Sequence, residues 1–289
     1  MVKNVMVIFG VLGAMLVLNY VLIYGKLGLP TLGVSGAAIA TVVSKLFSCT
    51  LGGIYLFRVV LPGMSFRPNW AQMRRSIRQV LTFGSPAAGE QISYTLSKMV
   101  VMAIVNSFGT VSANAYTYLN TVVSYVYLFS MALGQGTSIT VGWEVGKKSP
   151  ATAKSLCLFS MNCSFFIAMG ATALLCLLRK PLLGLFTNDP EIIALASTVL
   201  FSNFILEAGR SRNLIVVNSL RAAGDVRFPL YIGLISMWLF SVGFSFLLGV
   251  GLHMGLLGVW IALGLDECCR AIVMQVRWQK GKWIQSMAQ

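Results

Sequence analysis

The sequence predicts an all-α, polytopic membrane protein of about eight transmembrane helices. Composition is the first reason: 57% of the residues are hydrophobic and only 10% are charged, too few to cover a water-soluble core of this size. Spacing is the second, because apolar runs near twenty residues long recur from end to end, the length that spans the hydrocarbon layer of a bilayer. Charge placement is the third. The net charge of +14 sits mainly in the short connections between apolar runs, which is the pattern of membrane orientation and not of a nucleic-acid partner.

The spans fall at roughly 4–25, 32–61, 80–107, 112–142, 155–178, 191–220, 228–250 and 255–276. The opening MVKNVMVIFGVLGAMLVLNYVLIYG lacks a cleavable small-residue site and is too long for the apolar core of a signal peptide, so it reads as the first span. Breaks are punctuated at Gly28 to Pro30, Pro62-Gly63, Ser149-Pro150, Asn188 to Pro190 and Gly224 to Pro229. Between the second and third spans, NWAQMRRSIRQV predicts a short amphipathic helix capped by Asn69. Trp70, Met73, Ile77 and Val80 form its apolar face and Arg74, Arg75 and Arg78 its basic one, suited to the lipid headgroups at the cytoplasmic surface.

Orientation follows from the basic residues. Lys3, then Arg58, Arg67, Arg74, Arg75 and Arg78, then Lys147, Lys148 and Lys154, then Arg221 and Arg227, then Arg277, Lys280 and Lys282 fall on alternate connections and the two termini. Only Lys26, Arg179 and Lys180 fall on the opposite set, so both termini are expected in the cytoplasm. The six cysteines lie in or beside apolar runs without zinc or redox spacing and read as small buried hydrophobes.

A pattern G-x-x-G-x-x-I-A begins at Gly33 and again at Gly255, an offset of 222 residues. Each copy follows a short turn and opens a span, and small residues at that spacing let helices approach closely. A repeat of that size makes each half roughly six spans. The chain then comprises residues 1–62, the last two helices of an N-terminal lobe, and 63–79, a cytoplasmic amphipathic linker. A six-helix C-terminal lobe over 80–277 and a cytoplasmic tail over 278–289 complete it. The expectation is a truncated chain whose transport path needs about four further N-terminal spans, because two-lobe transporters place that path between their halves.

Six segments then carry a resemblance: LNYVLIYGKLGLPTLGVSGAAIAT (18–41), FGSPAAGEQ (83–91), GTVSANAY (109–116), ALGQGTSITVG (132–142), LRAAGDVRFP (220–229) and RWQKGKW (277–283). In this order they resemble the multidrug and toxic compound extrusion (MATE) family. The resemblance implies twelve spans in two six-helix lobes, of which this chain covers the fifth to the twelfth. It implies export of organic cations or drugs in exchange for sodium ions or protons, in the plasma membrane (the cell inner membrane). Many members carry an acidic residue on the first span, outside this chain, and some carry one a turn beyond Glu90, near Thr95, where this sequence has none.

Ionisable side chains at bilayer depth are expensive and normally face a cavity or a partner. Glu90, Tyr94 and Lys98 share one helical face at i, i+4, i+8, with Glu90 one turn after Pro86. Beside carbonyls freed by the proline, Glu90 can hold a sodium ion or carry a proton, or form an ion pair with Lys98 or another span. Glu207, Arg210 and Asn213 follow at i, i+3, i+6, with Asn203 a turn earlier, and an always-charged arginine needs a carboxylate such as Glu207. Asp266, Glu267 and Arg270 are secondary candidates, Asp266 pairing with Arg270 and leaving Glu267 to find a partner on another helix. Arg212 points away from these groups.

No nucleotide-binding loop, nucleophile elbow or histidine relay is present, His253 being the single histidine. The chain is therefore expected to be no enzyme, to have no cofactor and no metal beyond a possible sodium ion near Glu90 or Glu207, and to drive any transport by an ion gradient. The expected partners are membrane lipid and a small cationic substrate, which competes with the ion for a negative cavity lined by Tyr94, Tyr116, Tyr118 and methionines. Two alternatives stay open: a flippase for a lipid-linked precursor, with a more basic cavity, or an inactive transporter fragment.

Overall fold

A computed structural model describes residues 16–25, 31–55, 57–58 and 70–284, and every long regular element among them is helical. We number the helices α1 (16–24), α2 (Gly33–Tyr55), α3 (Trp70–Asn106), α4 (Thr110–Gly146), α5 (Pro150–Leu177), the short α6 (Arg179–Gly184), α7 (Pro190–Ala222), α8 (Arg227–Gly251) and α9 (Gly255–Gln279). All eight expected spans map onto helices, the first through its described part. Four of them, α2, α5, α7 and α8, are long and apolar enough to cross a membrane. The other three long helices, α3, α4 and α9, carry more of the polar residues described below.

Local chemistry accounts for the breaks. Asp189 caps α7 by accepting the Glu191 amide at 2.9 Å, Pro190 occupies the first turn, and Glu191 complements the positive helix end. Pro150 starts α5 in the same way. One expected break is missing. The segment 70–79 is not a separate helix but the first turns of α3, since nothing between Trp70 and Phe83 is a glycine or proline that would stop the winding. The expected Asn69 cap and the breaks at Gly28 to Pro30 and Pro62-Gly63 lie outside the described residues.

The chain divides into two compact units, Met1–Ser76 and Ile77–Gln289. In the first, α2 follows α1; in the second, α3 from Ile77 onward packs with α4 to α9. Each copy of the repeat opens its helix on a glycine of the same backbone conformation. Gly33 and Gly255 adopt left-handed φ of 52° and 57°. The Leu32 amide donates to the Leu22 carbonyl at 3.2 Å, and the Met254 amide donates to Leu248 at 3.2 Å. A Cβ on Gly36 would lie 2.5 Å from the Leu22 oxygen, and one on Gly258 2.7 Å from the Leu248 carbonyl carbon. The repeated glycines thus supply a left-handed helix start and a close backbone approach in both copies.

The second unit has two apolar cores. One gathers Val101, Leu119, Leu200, Leu206, Val259 and Trp260; the other gathers Val141, Cys157, Ile215, Leu220, Met274 and Trp278. Along α7 the interval between them holds Glu207, Arg210, Ser211 and Asn213, and along α9 it holds Asp266, Glu267 and Arg270. Glycines bring those two intervals together. A Cβ on Gly209 would lie 2.3 Å from the Cys268 nitrogen and 2.5 Å from the Glu267 carbonyl carbon, and one on Gly264 3.2 Å from the Leu206 nitrogen.

The second half of α8, Met237–Gly251, winds as a π-helix. Its i→i+5 bonds coil the chain more loosely than an α-helix, so positions four and five apart share a face. The buried positions follow that rhythm: Met237, Ser241, Ser245 and Gly249.

Gly209→Ala is expected to lower the unfolding free energy in detergent by about 1–3 kcal/mol, because backbone and not a flexible side chain is in the way. Gly136→Ala, with nothing within 4 Å, is expected to be neutral or to gain up to about 1 kcal/mol from helix propensity. Equal stability of the two variants in thermal unfolding would contradict the close approach of α7 and α9.

Candidate functional site

The contact at Gly209 and Gly264 places the two charged triads side by side. Arg210 donates to Glu207 one turn away on α7. On α9, Arg270 donates to Asp266 at 2.5 Å and to Glu267 at 3.1 Å. Asn213 joins the helices by donating to the second oxygen of Glu267 at 2.9 Å. Glu267 therefore has the partner on another helix that the sequence required, and Arg270 of its own helix as well. Glu207 and Asp266 are buried, with 0% and 1% of their surfaces exposed.

α8 completes the layer. Ser236 and Ser241 both donate to Asp266, Ser241 at 2.6 Å. Five residues apart, these hydroxyls would diverge on an α-helix; the change of winding at Met237 turns them to one carboxylate. Asn203, a turn before Glu207, accepts from the Trp260 indole at 3.4 Å and belongs to the apolar side. Arg212 lies 3.9 Å from the Phe165 ring, away from the cluster as expected.

Two chambers of about 420 and 460 Å³ meet at this layer, and Tyr94, Tyr127, Arg210, Met237, Glu267 and Arg270 line both. The first continues along Lys98, Tyr116, Asn120, Ser124 and Trp260. The second continues along Asn213, Pro229 and Met274 to Glu90 and Arg221. Tyr118, expected on the cavity wall, instead stacks on Phe186 at 5.5 Å between ring centres. Residues two apart point to opposite sides of a helix, whereas Tyr116, Asn120, Val123 and Tyr127 share a face, so Tyr127 takes that place.

Glu90 does not pair with Lys98. Both its oxygens accept from Arg221 Nη2, at 2.8 and 2.7 Å, across from the last turn of α7. Two turns of α3 separate Glu90 from Lys98 while Arg221 lies directly opposite, and Lys98 settles 4.7 Å over the ring of Tyr94. The expected negative cavity is also corrected. Four acids, Glu90, Glu207, Asp266 and Glu267, stand around the chambers with four bases, Lys98, Arg210, Arg221 and Arg270; each acid has an arginine in contact, and Lys98 has no acid in contact. Sequence reasoning missed Arg221, counted only as an orienting charge, and Ser236 and Ser241, hidden in an apolar run.

Among the described residues no three His, Cys, Asp or Glu side chains converge on one point. Within the layer, however, three carboxylates face two guanidiniums, and Glu207 Oε2 and Asn213 Oδ1 are buried without a hydrogen-bond partner.

Together, the fold and the site define a polytopic helical membrane protein with a polar cavity inside one helical bundle. Residues 86–247 match the model of the MatE family, and the chain belongs to that family. It is 37% identical over 267 residues to an uncharacterized transporter, YisQ, of Bacillus subtilis (strain 168), covering 92% of this chain and 59% of the relative. It is 27% identical over 274 residues to a probable multidrug resistance protein, NorM, of Mannheimia succiniciproducens, covering 91% and 58%. The chain thus spans less than two thirds of the length of these relatives. The crystal structure of a eukaryotic MATE transporter superposes with a TM-score of 0.82 at 21% identity, over 98% of this chain and 63% of that one. MATE in the straight conformation superposes with the same score at 20% identity, over 96% and 61%.

Removing one partner of a buried pair leaves the other charge stranded. Arg210→Met, which exposes buried Glu207 to an apolar neighbour, is expected to destabilise by about 3–5 kcal/mol, and Glu207→Leu with Arg210→Met to recover most of that loss. Denaturant titration in micelles checks the order; a double variant no better than the single one would show that the two groups are not coupled.

Proposed function

We propose that this chain takes part in secondary active efflux of organic cations or drugs, by antiport with sodium ions or protons and alternating access. The carrying observation is the excess of one carboxylate in the layer between the chambers, where Glu207, Asp266 and Glu267 face Arg210 and Arg270. An uncompensated charge at bilayer depth costs several kcal/mol, so the layer is completed by a proton or by a hard monovalent cation. Glu207 Oε2 and Asn213 Oδ1, both lacking a partner, supply oxygen atoms of the kind such ions prefer. Membership of the MatE family and the multidrug name of the Mannheimia relative support the same reading.

Antiport follows from one ion and one substrate drawing on the same charge. A bound cation neutralises the layer and removes its attraction for a cationic substrate; its departure restores it. The two occupancies favour different arrangements of the helices only to the extent that each binds one of them better. The tyrosine faces at Tyr94, Tyr116 and Tyr127 provide the stacking surface for an aromatic cation. Glu90, saturated by Arg221, is assigned the second chamber's far wall and not ion coupling. The plasma membrane is the proposed location, with both termini cytoplasmic as the basic residues direct.

Lys98, Arg210 and Arg270 on the chamber walls favour one second reading, flipping of a lipid-linked anionic precursor; lipid-scrambling measurements in proteoliposomes separate it from cation efflux. The main test is efflux of a lipophilic cationic dye from cells expressing the chain under an imposed proton or sodium gradient. Glu207→Gln is expected to abolish the gradient dependence, at least about tenfold in rate, while Glu90→Gln lowers it only modestly. Efflux that ignores Glu207→Gln would remove this layer as the coupling site.

A further inference from the structure

Lys98 is a cation on the wall of the first chamber with no carboxylate in contact with it. All eight carboxyl side chains of the chain lie among the described residues. Their ion pairs go elsewhere: Glu90 to Arg221, Glu144 to Lys147, Glu207 to Arg210, Asp225 to Arg277, and Asp266 and Glu267 to Arg270. The two remaining acids, Asp189 and Glu191, sit at the start of α7. No carboxylate comes within 4 Å of the Lys98 ammonium, whose described contact is the face of Tyr94.

Lys98 stands eight residues before the end of α3 at Asn106, roughly 12 Å along the helix from that end. An ammonium at such depth seeks a partner. The chamber it lines, about 420 Å³, is of the size that encloses a small organic ligand. Opposite in charge, the α7–α9 layer on the same wall carries one carboxylate too many. Tyr116 and Trp260, edge to face with centroids 5.9 Å apart, supply the aromatic surface of that chamber.

We propose that Lys98 is a specificity-determining residue that binds an anionic group of the substrate, so that the first chamber selects aromatic molecules bearing a carboxylate. The carboxylate takes the ammonium, the ring packs against Tyr116 and Trp260, and any basic nitrogen of the same molecule faces the acidic excess of the layer. This rests on the efflux reading in assuming that the chamber receives substrate, and it departs from the purely cationic substrate that the sequence implied. A charge-assisted hydrogen bond of this kind separates two ligands differing only in that charge by about tenfold or more.

The test is equilibrium dialysis of the purified full chain in detergent with an aromatic carboxylate and its methyl ester as paired probes. The carboxylate is expected to bind about tenfold more tightly than the ester. Lys98→Gln removes that difference, Lys98→Arg retains it, and the ester's affinity changes little in either. Lys98 makes no ion pair among the described residues, and unchanged thermal unfolding of both variants confirms that folding is not the cause. Equal affinity for the two probes, no binding of either, or a Lys98→Gln variant that still prefers the carboxylate would overturn the proposal. Binding is read without any gradient, so charge selection that survives in a protein failing the dye-efflux test counts against the efflux reading alone. Dye efflux without charge selection counts against Lys98 alone.

Discussion

Two glycines that let backbones touch organise the second unit. With no side chain at Gly209, α7 comes against the peptide between Glu267 and Cys268, and Gly264 meets Leu206 from the other side. Helices in lipid gain no hydrophobic force from each other, so close packing of small residues and shared hydrogen bonds must hold them. Once the axes are that near, the charged side chains flanking the contact have nowhere to go but into one another. Glu207, Arg210, Asn213, Asp266, Glu267 and Arg270 become one layer because the backbone between them leaves no room for lipid or loop.

That layer sits between two apolar cores, which sharpens its electrostatics. Glu207 and Asp266 are shut off from water, so each hydrogen bond to them counts more and each missing partner costs more. Asp266 is fully engaged, by Arg270, Ser236 and Ser241. The engagement depends on α8 loosening into a π-helix at Met237, a rare departure from ordinary winding. Glu207 is less complete, with one oxygen on Arg210 and one free. Buried ion pairs seldom add net stability over apolar packing, so a layer of five charges in a membrane bundle is better explained by what it binds than by what it holds together.

Much of this was legible in the sequence. Apolar run length located the helices, the first through its described part, and Pro150 and Pro190 marked helix starts, the second with the Asp189 cap. The i, i+3 and i, i+4 spacings identified the Glu207–Arg210 and Asp266–Arg270 pairs, because helical geometry alone brings them together. The glycine repeat at Gly33 and Gly255 was visible as a pattern and has a structural counterpart in two left-handed helix starts, each followed by a close backbone approach. What stayed hidden needed tertiary or helical-phase information. Arg221 looked like an orienting charge because nothing local shows that it reaches Glu90 on α3. Ser236 and Ser241 vanished in an apolar run whose phase follows α-helical winding only up to Met237. Spacing on one helix left Glu90 open to an ion, to Lys98 or to another span, and only the packed structure shows that a guanidinium from another helix takes that carboxylate.

The most direct measurement of the central claim is a solid-state NMR distance between the Asn213 side-chain nitrogen and the Glu267 carboxyl group in lipid bilayers. These atoms lie on different helices and meet only if α7 and α9 touch at Gly209. The account predicts a strong dipolar coupling, consistent with the 2.9 Å hydrogen bond. Absence of coupling between those two groups would show that the helices stand apart and that the charged layer, with everything assigned to it, does not exist.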